Sequence, residues 1–234
     1  MNVTSRSAIK LKFLRLRVAL FVVLSILFLQ LYSIRQVGYS AEWKDGKALV
    51  TAGSHPVAIA WATVALLIFL AVIRIKADQT ISGVPTLRRR FGAFLIDLWF
   101  SVLTVSSFAT IIPLWIEAAR TGHFSWNFQR DYAVSTDEIF ALPFVLANMA
   151  VIFLHFVIPF TEGKQTVGCL VMRLRVTPPF GTEGSFTFRQ AVQRTWFEFT
   201  GLCGFLWAGK DRDSEGRTWW DRKTNCTVVL VEYQ

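Results

Sequence analysis

One carboxylate lies inside an apolar run of this chain. Residues 88–99 read RRRFGAFLIDLW, and Asp97 follows Phe91 by six residues, about 9 Å along a helix axis. A charged carboxylate at that depth of a bilayer is costly, so it normally faces protein or water rather than lipid. Asp97 would therefore either take up a proton or a cation, or accept hydrogen bonds from neighbouring protein.

Two polar stripes predict what surrounds Asp97. On a helix that turns 100° per residue, four polar residues lie within about 60° of one another and form the first stripe: Arg90, Asp97, Ser101 and Thr104. A spacing of seven places a second stripe on one face of a later apolar segment, and it consists of Asn148, His155 and Glu162.

The two striped segments are expected to pack as antiparallel neighbours, because a modest loop joins them. Each resulting pair is chemically reasonable: an ion pair, a carboxylate–imidazole pair and a neutral hydrogen bond. For His155, simple packing within a helix bundle stays open as the alternative. The predicted pairs are Arg90–Glu162, Asp97–His155 and Thr104–Asn148.

Four apolar stretches are long enough to cross a hydrocarbon core of about 30 Å. They cover residues 18–34, 57–73, about 91–116 and about 139–160. A mean hydropathy of +0.42 and a hydrophobic share of 53% exceed those of ordinary soluble domains. The first stretch is also compatible with a signal peptide, but it is longer than the roughly 7–15 apolar residues usual there, which favours a retained anchor.

The basic residues predict the orientation of the chain. Three alternate segments are rich in Lys and Arg: there are 5 of these residues up to residue 17, 5 in segment 74–90 and 10 from residue 161 onward. The segments between them, 35–56 and 117–138, contain only 3 and 2. The positive-inside rule therefore places both termini in the cytoplasm. Although the net charge is +9, no basic–aromatic array of a nucleic-acid module occurs, so we expect no nucleic-acid partner.

The C-terminal tail, residues 161–234, combines helix and strand patterns. An amphipathic helix from about Ser185 through 196–208 is expected to lie in the membrane interface, and a fifth crossing is the alternative. Residues 171–177 alternate apolar and basic side chains and 226–233 are β-branched, which predicts a two-stranded ribbon. Loops 35–56 and 117–138 show no strong period.

No sequence pattern indicates catalysis or metal binding. The chain lacks HExxH, P-loop and GxSxG motifs, its three histidines are scattered, and its three cysteines are widely spaced without CxxC. We therefore expect a protein that is not an enzyme and that carries no cofactor or metal.

The glycines of GKQTVG, Gly163 and Gly168, have two interpretations. They can let the chain turn sharply as it leaves the fourth apolar stretch. Alternatively, they can cradle an anion at the start of a following helix.

These motifs, in this order, resemble the RDD family of bacterial membrane proteins over about residues 85–232. Arg90-x-x-Ala93-x-x-Ile96-Asp97 is similar to the opening of the family, GKQTVG to its Gly-x-Thr-x-Gly element, and Asp221 in WWDR to its closing aspartate. Arg189 is the alternative to Arg194 for the arginine between them, and Cys169 stands where members often carry lysine. The positions carried over are Arg90, Asp97, Gly163, Thr166, Gly168, Arg194 and Asp221.

The family is named for one arginine and two aspartates, which fall on Arg90, Asp97 and Asp221. Most members have no established activity; transport has been suggested, and cation/proton antiport has been claimed for some. The resemblance leaves the two N-terminal spans unassigned. It divides the chain into an N-terminal two-span hairpin, residues 1–84, and an RDD-like domain, residues 85–234.

The combined prediction is an all-α protein of the bacterial inner membrane: a four-span helix bundle with a cytoplasmic interfacial helix and a small two-stranded β-ribbon. Asp221 is expected to pair with Arg90 or with a tail arginine. One functional hypothesis is a transporter-like protein in which Asp97 titrates, with His155, Ser101 and Thr104 around it. The other is a non-catalytic scaffold or assembly partner. In either case we expect the lipid bilayer and a homo-oligomer or membrane-protein partner.

Overall fold

A computed structural model describes residues 3–31, 38–44, 47–74, 79–161, 163–177, 186–200, 213 and 216–233, with the backbone alone at some of them. The described residues are mostly helical. The helices are α1 (Val3–Leu31), α2 (Pro56–Ile73), α3 (Leu87–Ala109), α4 (Ile111–Thr121), α5 (Val134–Thr161), α6 (Val167–Met172), α7 (Phe188–Thr200) and α8 (Trp219–Lys223). The strands are β1 (Gly38–Lys44), β2 (Lys47–Gly53), β3 (Gln79–Gly83), β4 (Asn127–Ala133), β5 (Leu174–Thr177) and β6 (Thr227–Tyr233).

Two described helical segments are long and apolar enough to cross a membrane, Pro56–Ile73 and Leu87–Thr121. Less than half of each segment is buried, and large side chains such as Leu67 and Leu95 are exposed, as lipid-facing residues are. The predicted spans 18–34 and 139–160 extend beyond the residues whose side chains are described. A bundle of four spans therefore stays a prediction.

The third predicted span, about 91–116, lies within the apolar segment Leu87–Thr121, which contains a break between two helices. Helix α3 ends at Ala109 and α4 begins at Ile111. Pro113 has no N–H to donate, and its ring clashes with the carbonyl of Ala109 four residues earlier, so the helix breaks here. The hydroxyl of Thr110 donates to the carbonyls of Ser106 and Ser107, both at 3.0 Å.

The chain divides into two compact units. The first unit consists of Met1–Val22, Ile68–Leu98 and Phe153–Gln234, and the second of Val23–Leu67 and Trp99–Ile152. The first unit therefore holds the N-terminal half of α3 together with α6, α7 and α8.

The first unit contains a three-stranded antiparallel sheet in the order β3-β6-β5. The predicted pairing of the two tail segments is present, with Leu174 opposite Leu230 and Thr177 opposite Thr227. Two details were wrong: β3 adds a third strand, and residues 171 and 172 end helix α6 instead of starting β5. The five residues of β3, QTISG, are too few to show a clear period.

The second unit contains another antiparallel sheet, in the order β1-β2-β4. It lies in loops 35–56 and 117–138, where no strand was predicted. The mostly helical class is therefore confirmed in part, because the expected ribbon is accompanied by a second small sheet. The Asp45-Gly46 dipeptide between β1 and β2 is typical of hairpin turns and is the sequence signal that predicts this pairing.

Candidate functional site: a buried ionic cluster at the start of α3

Two arginines and one aspartate form a buried ionic cluster, which consists of Arg90, Arg194 and Asp221. Arg90 Nη1 lies within ion-pair distance of Asp221 Oδ2, and Arg194 Nη1 donates to Asp221 Oδ1 at 2.8 Å. The three residues come from α3, α7 and α8 and are at most 6% exposed. The cluster therefore joins three elements that lie far apart in sequence.

The local sequence around Asp221 holds its carboxylate in place. Thr218 and Asp221 form a capping box at the start of α8: the Thr218 N–H and hydroxyl donate to Asp221 Oδ2 at 3.0 and 2.8 Å. Cys226 lies on the other side, with its Sγ 2.7 Å from Arg194 Nη1. The sequence pattern Thr-x-x-Asp could have identified this cap, but sequence reasoning missed it.

The charge environment keeps Asp221 ionised. Burial alone would raise the pKa of this carboxyl, but the guanidinium groups of Arg194 and Arg90 and the hydrogen bonds from Arg194 and Thr218 lower it to about 2. Burial also raises the pKa of the Cys226 thiol. At neutral pH the cluster thus contains an ionised carboxylate between two guanidinium groups.

Helix α6 provides the donors for Asp97. The Thr166 hydroxyl donates to Asp97 Oδ2 at 2.6 Å, and the Gly168 N–H donates to Oδ1 at 2.7 Å. Thr166 is also the N-cap of α6, because its Oγ1 accepts from the N–H of Cys169. One of the two interpretations of GKQTVG was an anion bound at the start of the following helix. The group bound there is the carboxylate of Asp97, from the same chain.

The two glycines of GKQTVG have different roles. Gly163, at φ 65°, ends α5 in a Schellman arrangement: its N–H donates to Phe160 O and the Lys164 N–H to Pro159 O. This agrees with the predicted sharp turn. Gly168 packs directly on α3, where a Cβ would overlap the Ala93 carbonyl and lie 2.8 Å from Asp97 Oδ2.

A cavity of about 20 Å³ lies between the ionic cluster and Asp97, large enough for an ordered water. Arg90, Asp97, Arg194 and Glu198 line it with the apolar side chains of Phe94 and Phe156. Among the described residues, the Nε atoms of Arg90 and Arg194 have no hydrogen-bond partner. Burial raises the pKa of Glu198, a residue that sequence reasoning missed because it lies in the short apolar run 196–208.

The predicted partner of Asp97 was wrong. The ring of His155 stacks on Phe69 at 3.9 Å between centroids, and its buried Nε2 has no hydrogen-bond partner among the described residues. The packing alternative for His155 is therefore the observed one. The reason is that Thr166 and Gly168 satisfy both carboxylate oxygens, so Asp97 is already bound.

The remaining predicted positions have different outcomes. The predicted pairing of Asp221 with Arg90 or a tail arginine is confirmed, since Asp221 pairs with both Arg90 and Arg194. The other expected partner of Arg90, Glu162, lies outside the described residues. Arg194, and not the exposed Arg189, is the buried arginine. The other stripe residues, Ser101 and Thr104 (buried) and Asn148 (half-buried), belong to the second unit.

Arg15 was also missed by sequence reasoning. Its guanidinium donates to the carbonyls of Leu170 and Val171 at 2.9 and 2.6 Å, at the C-terminal end of α6. A basic side chain is favourable there, because the last carbonyls of a helix lack intrahelical donors. This contact joins the N-terminal helix, outside the family-like region, to the element that holds Asp97.

Within the described residues, no group of three or more His, Cys, Asp or Glu side chains could hold a metal ion. Cys169 and Cys226 are both free thiols.

Comparison with known proteins gives one match. The model of the RDD family matches residues 84–225, more than half of the chain and the whole of the region that contains the ionic cluster and Asp97. Neither a curated protein nor a solved structure matches significantly. The RDD family is membrane-associated, in agreement with the two apolar helices. This chain therefore belongs to the RDD family.

Proposed function

We propose that this protein is a non-catalytic membrane scaffold of the bacterial inner membrane, with four crossings and both termini in the cytoplasm. Its RDD domain would hold the cytoplasmic tail rigidly against the start of α3, as an assembly surface for a second copy or another membrane protein. The observation that carries this proposal is the position of Asp221 between Arg90 and Arg194.

The family-motif residues bind one another across long chain separations, which supports a fastening role. Arg90 and Asp221 are 131 residues apart, and Asp97 and Thr166 are 69 apart. A buried charge is stable only when partners satisfy it, so each of these contacts specifies one docked position for the tail.

The membrane topology rests on the charge asymmetry of the sequence and on the exposed leucines of the two apolar helices. Fusions of a periplasm-specific phosphatase and of a fluorescent protein after residue 234 test it. We expect fluorescence without phosphatase activity. Phosphatase activity at the C-terminus would contradict the proposed orientation.

The scaffold role is tested by purification from native membranes in mild detergent, with mass identification of co-purifying proteins. We expect a stoichiometric partner or a second copy. Asp221→Ala should lose it, whereas Asp213→Ala, which breaks the half-exposed Asp213–Arg217 pair, should retain it. Recovery of wild type as a monomer without a stoichiometric partner would contradict the scaffold.

The cavity favours a second candidate function, transport of a proton or a small monovalent cation. Asp97 and Glu198 line the cavity, so it brings two carboxyl groups to one small, mainly apolar space. Cation-dependent proton flux in proteoliposomes, abolished by Asp97→Asn, would support this candidate over the scaffold. Flux equal to that of empty liposomes would exclude it.

A further inference from the structure

Helices α7 and α8 expose aromatic side chains beside the start of a membrane-crossing segment. Phe188 and Trp196 are 62% and 60% exposed, and Trp219 is 38% exposed. Arg189 and Trp196 are seven residues apart, so they lie on the same side of α7, and Phe188 is the first residue of the helix. The buried residues Ala191, Arg194 and Thr195 lie away from the side of Arg189 and Trp196.

The two helices are packed together. The ring of Phe197 in α7 meets the ring of Trp219 in α8 edge to face, with centroids 5.2 Å apart. Both helices are also tied to α3, because Arg194 and Asp221 belong to the ionic cluster with Arg90. Their exposed rings are therefore held in place and are not side chains of a free tail.

The exposed charged side chains of α7 and α8 are basic. Arg189 and Lys223 are exposed, as are Arg88 and Arg89 at the adjacent start of α3. The only two acidic residues of α7 and α8 face inward: Glu198 lines the cavity and Asp221 is buried in the ionic cluster. Exposed aromatic rings together with basic side chains, and without exposed acids, complement a negatively charged surface.

The depth of this surface follows from the ionic cluster. Arg90 lies in the first turn of α3, and the exposed Phe91 and Leu95 continue from there into the apolar segment. The ion pairs of Asp221 with Arg90 and with Arg194 thus place α8 and α7 where that segment begins. If the segment crosses the bilayer, this is the level of the lipid headgroups, where Trp and basic residues are favoured.

We propose that α7 and α8 form a binding surface for anionic phospholipid headgroups, with Arg189 and Lys223 contacting phosphates and Phe188, Trp196 and Trp219 entering the interface. This inference rests on the proposed crossing of the bilayer by Leu87–Thr121. It adds a lipid class and a set of contacting residues to that placement.

The test measures which lipids the full chain retains. The protein is reconstituted in vesicles of equal parts phosphatidylglycerol and phosphatidylcholine, extracted in mild detergent, and its bound lipids are quantified. We expect retained phosphatidylglycerol to exceed phosphatidylcholine. Because one basic residue near an anionic surface corresponds to roughly a fivefold change in binding, Arg189→Gln should reduce that preference several-fold.

Helix α4 offers matched controls, since Arg120 and Trp115 are exposed there on the second unit. Arg120→Gln should leave the lipid preference unchanged, and Trp196→Ser should lower total lipid retention more than Trp115→Ser. Equal retention of the two lipids by wild type, or equal losses in Arg189→Gln and Arg120→Gln, would overturn the inference. Release of the chain from membranes by alkaline carbonate would instead refute the membrane crossing itself.

Discussion

Replacement of Asp221 by asparagine should destabilise this protein more than any surface substitution. Asn keeps the shape of the side chain but removes the negative charge between Arg90 and Arg194. The two buried guanidinium groups would then lack the carboxylate that lies between them. Because Asp221 has no exposed surface and both arginines are at most 6% exposed, bulk water has little access to them.

Two arguments give the size of the effect. Removing one partner of a buried ion pair typically costs about 3–5 kcal/mol. Independently, lowering the pKa of Asp221 from 3.8 to about 2 corresponds to about 2 kcal/mol of stability at neutral pH. We therefore expect a loss of about 2–5 kcal/mol and a fall in the thermal midpoint of roughly 5–20 °C.

The assay is thermal unfolding of the purified protein in detergent, with Asp213→Asn as the matched control. Asp213 pairs with Arg217 at 2.8 Å, but both side chains are more than 20% exposed, so its loss should cost at most about 1 kcal/mol. A double variant with Arg194→Met should lose less than the sum of the single losses, because the two residues interact directly.

The pH dependence has a defined sign. Because the folded-state pKa of Asp221 is depressed, its contribution is complete above about pH 4 and is lost as the pH falls towards about 2. The difference in midpoint between wild type and Asp221→Asn should shrink across that window. If Asp221→Asn matches Asp213→Asn at neutral pH, the argument for a fastening cluster is wrong.

Three further predictions concern the surroundings of the cluster. Gly168→Ala should abolish accumulation of folded protein, because the new Cβ would overlap the Ala93 carbonyl; size-exclusion chromatography of a fluorescent fusion measures this. Gly122→Ala is the control: a Cβ there meets no neighbouring atom, so the substitution should cost only the strain of the positive φ. The Glu198→Gln variant should have a higher thermal midpoint than wild type, and the difference should grow as the pH rises above about 4.5. The reason is that the pKa of Glu198 is raised in the folded protein, so ionisation of this carboxyl destabilises the wild-type fold. A difference in midpoint that stays the same between pH 5 and pH 9 would disprove this. Arg15→Met should lower the thermal midpoint by a few degrees, because two hydrogen bonds to α6 are lost. The side chain of Arg17 is exposed, so an equal effect of Arg17→Met would contradict this prediction.

The local features of this protein follow from its sequence. Apolar runs predict α2 and the Leu87–Thr121 segment, because a membrane helix needs only length and hydropathy. Pro113 and the Thr-x-x-Asp pattern at 218–221 were not used as predictions, but they account for the break in that segment and for the cap of α8, since each acts within one helical turn. The positions of Arg90, Asp97 and Asp221 are likewise recognisable from motif order alone.

An arginine partner for Asp221 was predicted and is confirmed, but the partner of Asp97 was decided only by the tertiary structure. Helix periodicity suggested His155 for Asp97, but a face on a helix does not say which neighbour meets it. The carboxylate binds the start of α6 because packing of Gly168 on Ala93 brings two oriented donors to it, Thr166 Oγ1 and the Gly168 N–H.

The same distinction holds for the sheets and the ionic cluster. Strand β3 forms because β6 offers it a free edge, and five residues carry too little pattern to show this. Arg90 and Arg194 meet at Asp221 across 131 and 27 residues. The sequence by itself therefore determined which residues are charged and which segments are apolar, whereas only the folded chain decided which charges are buried together, because burial depends on contacts between distant segments.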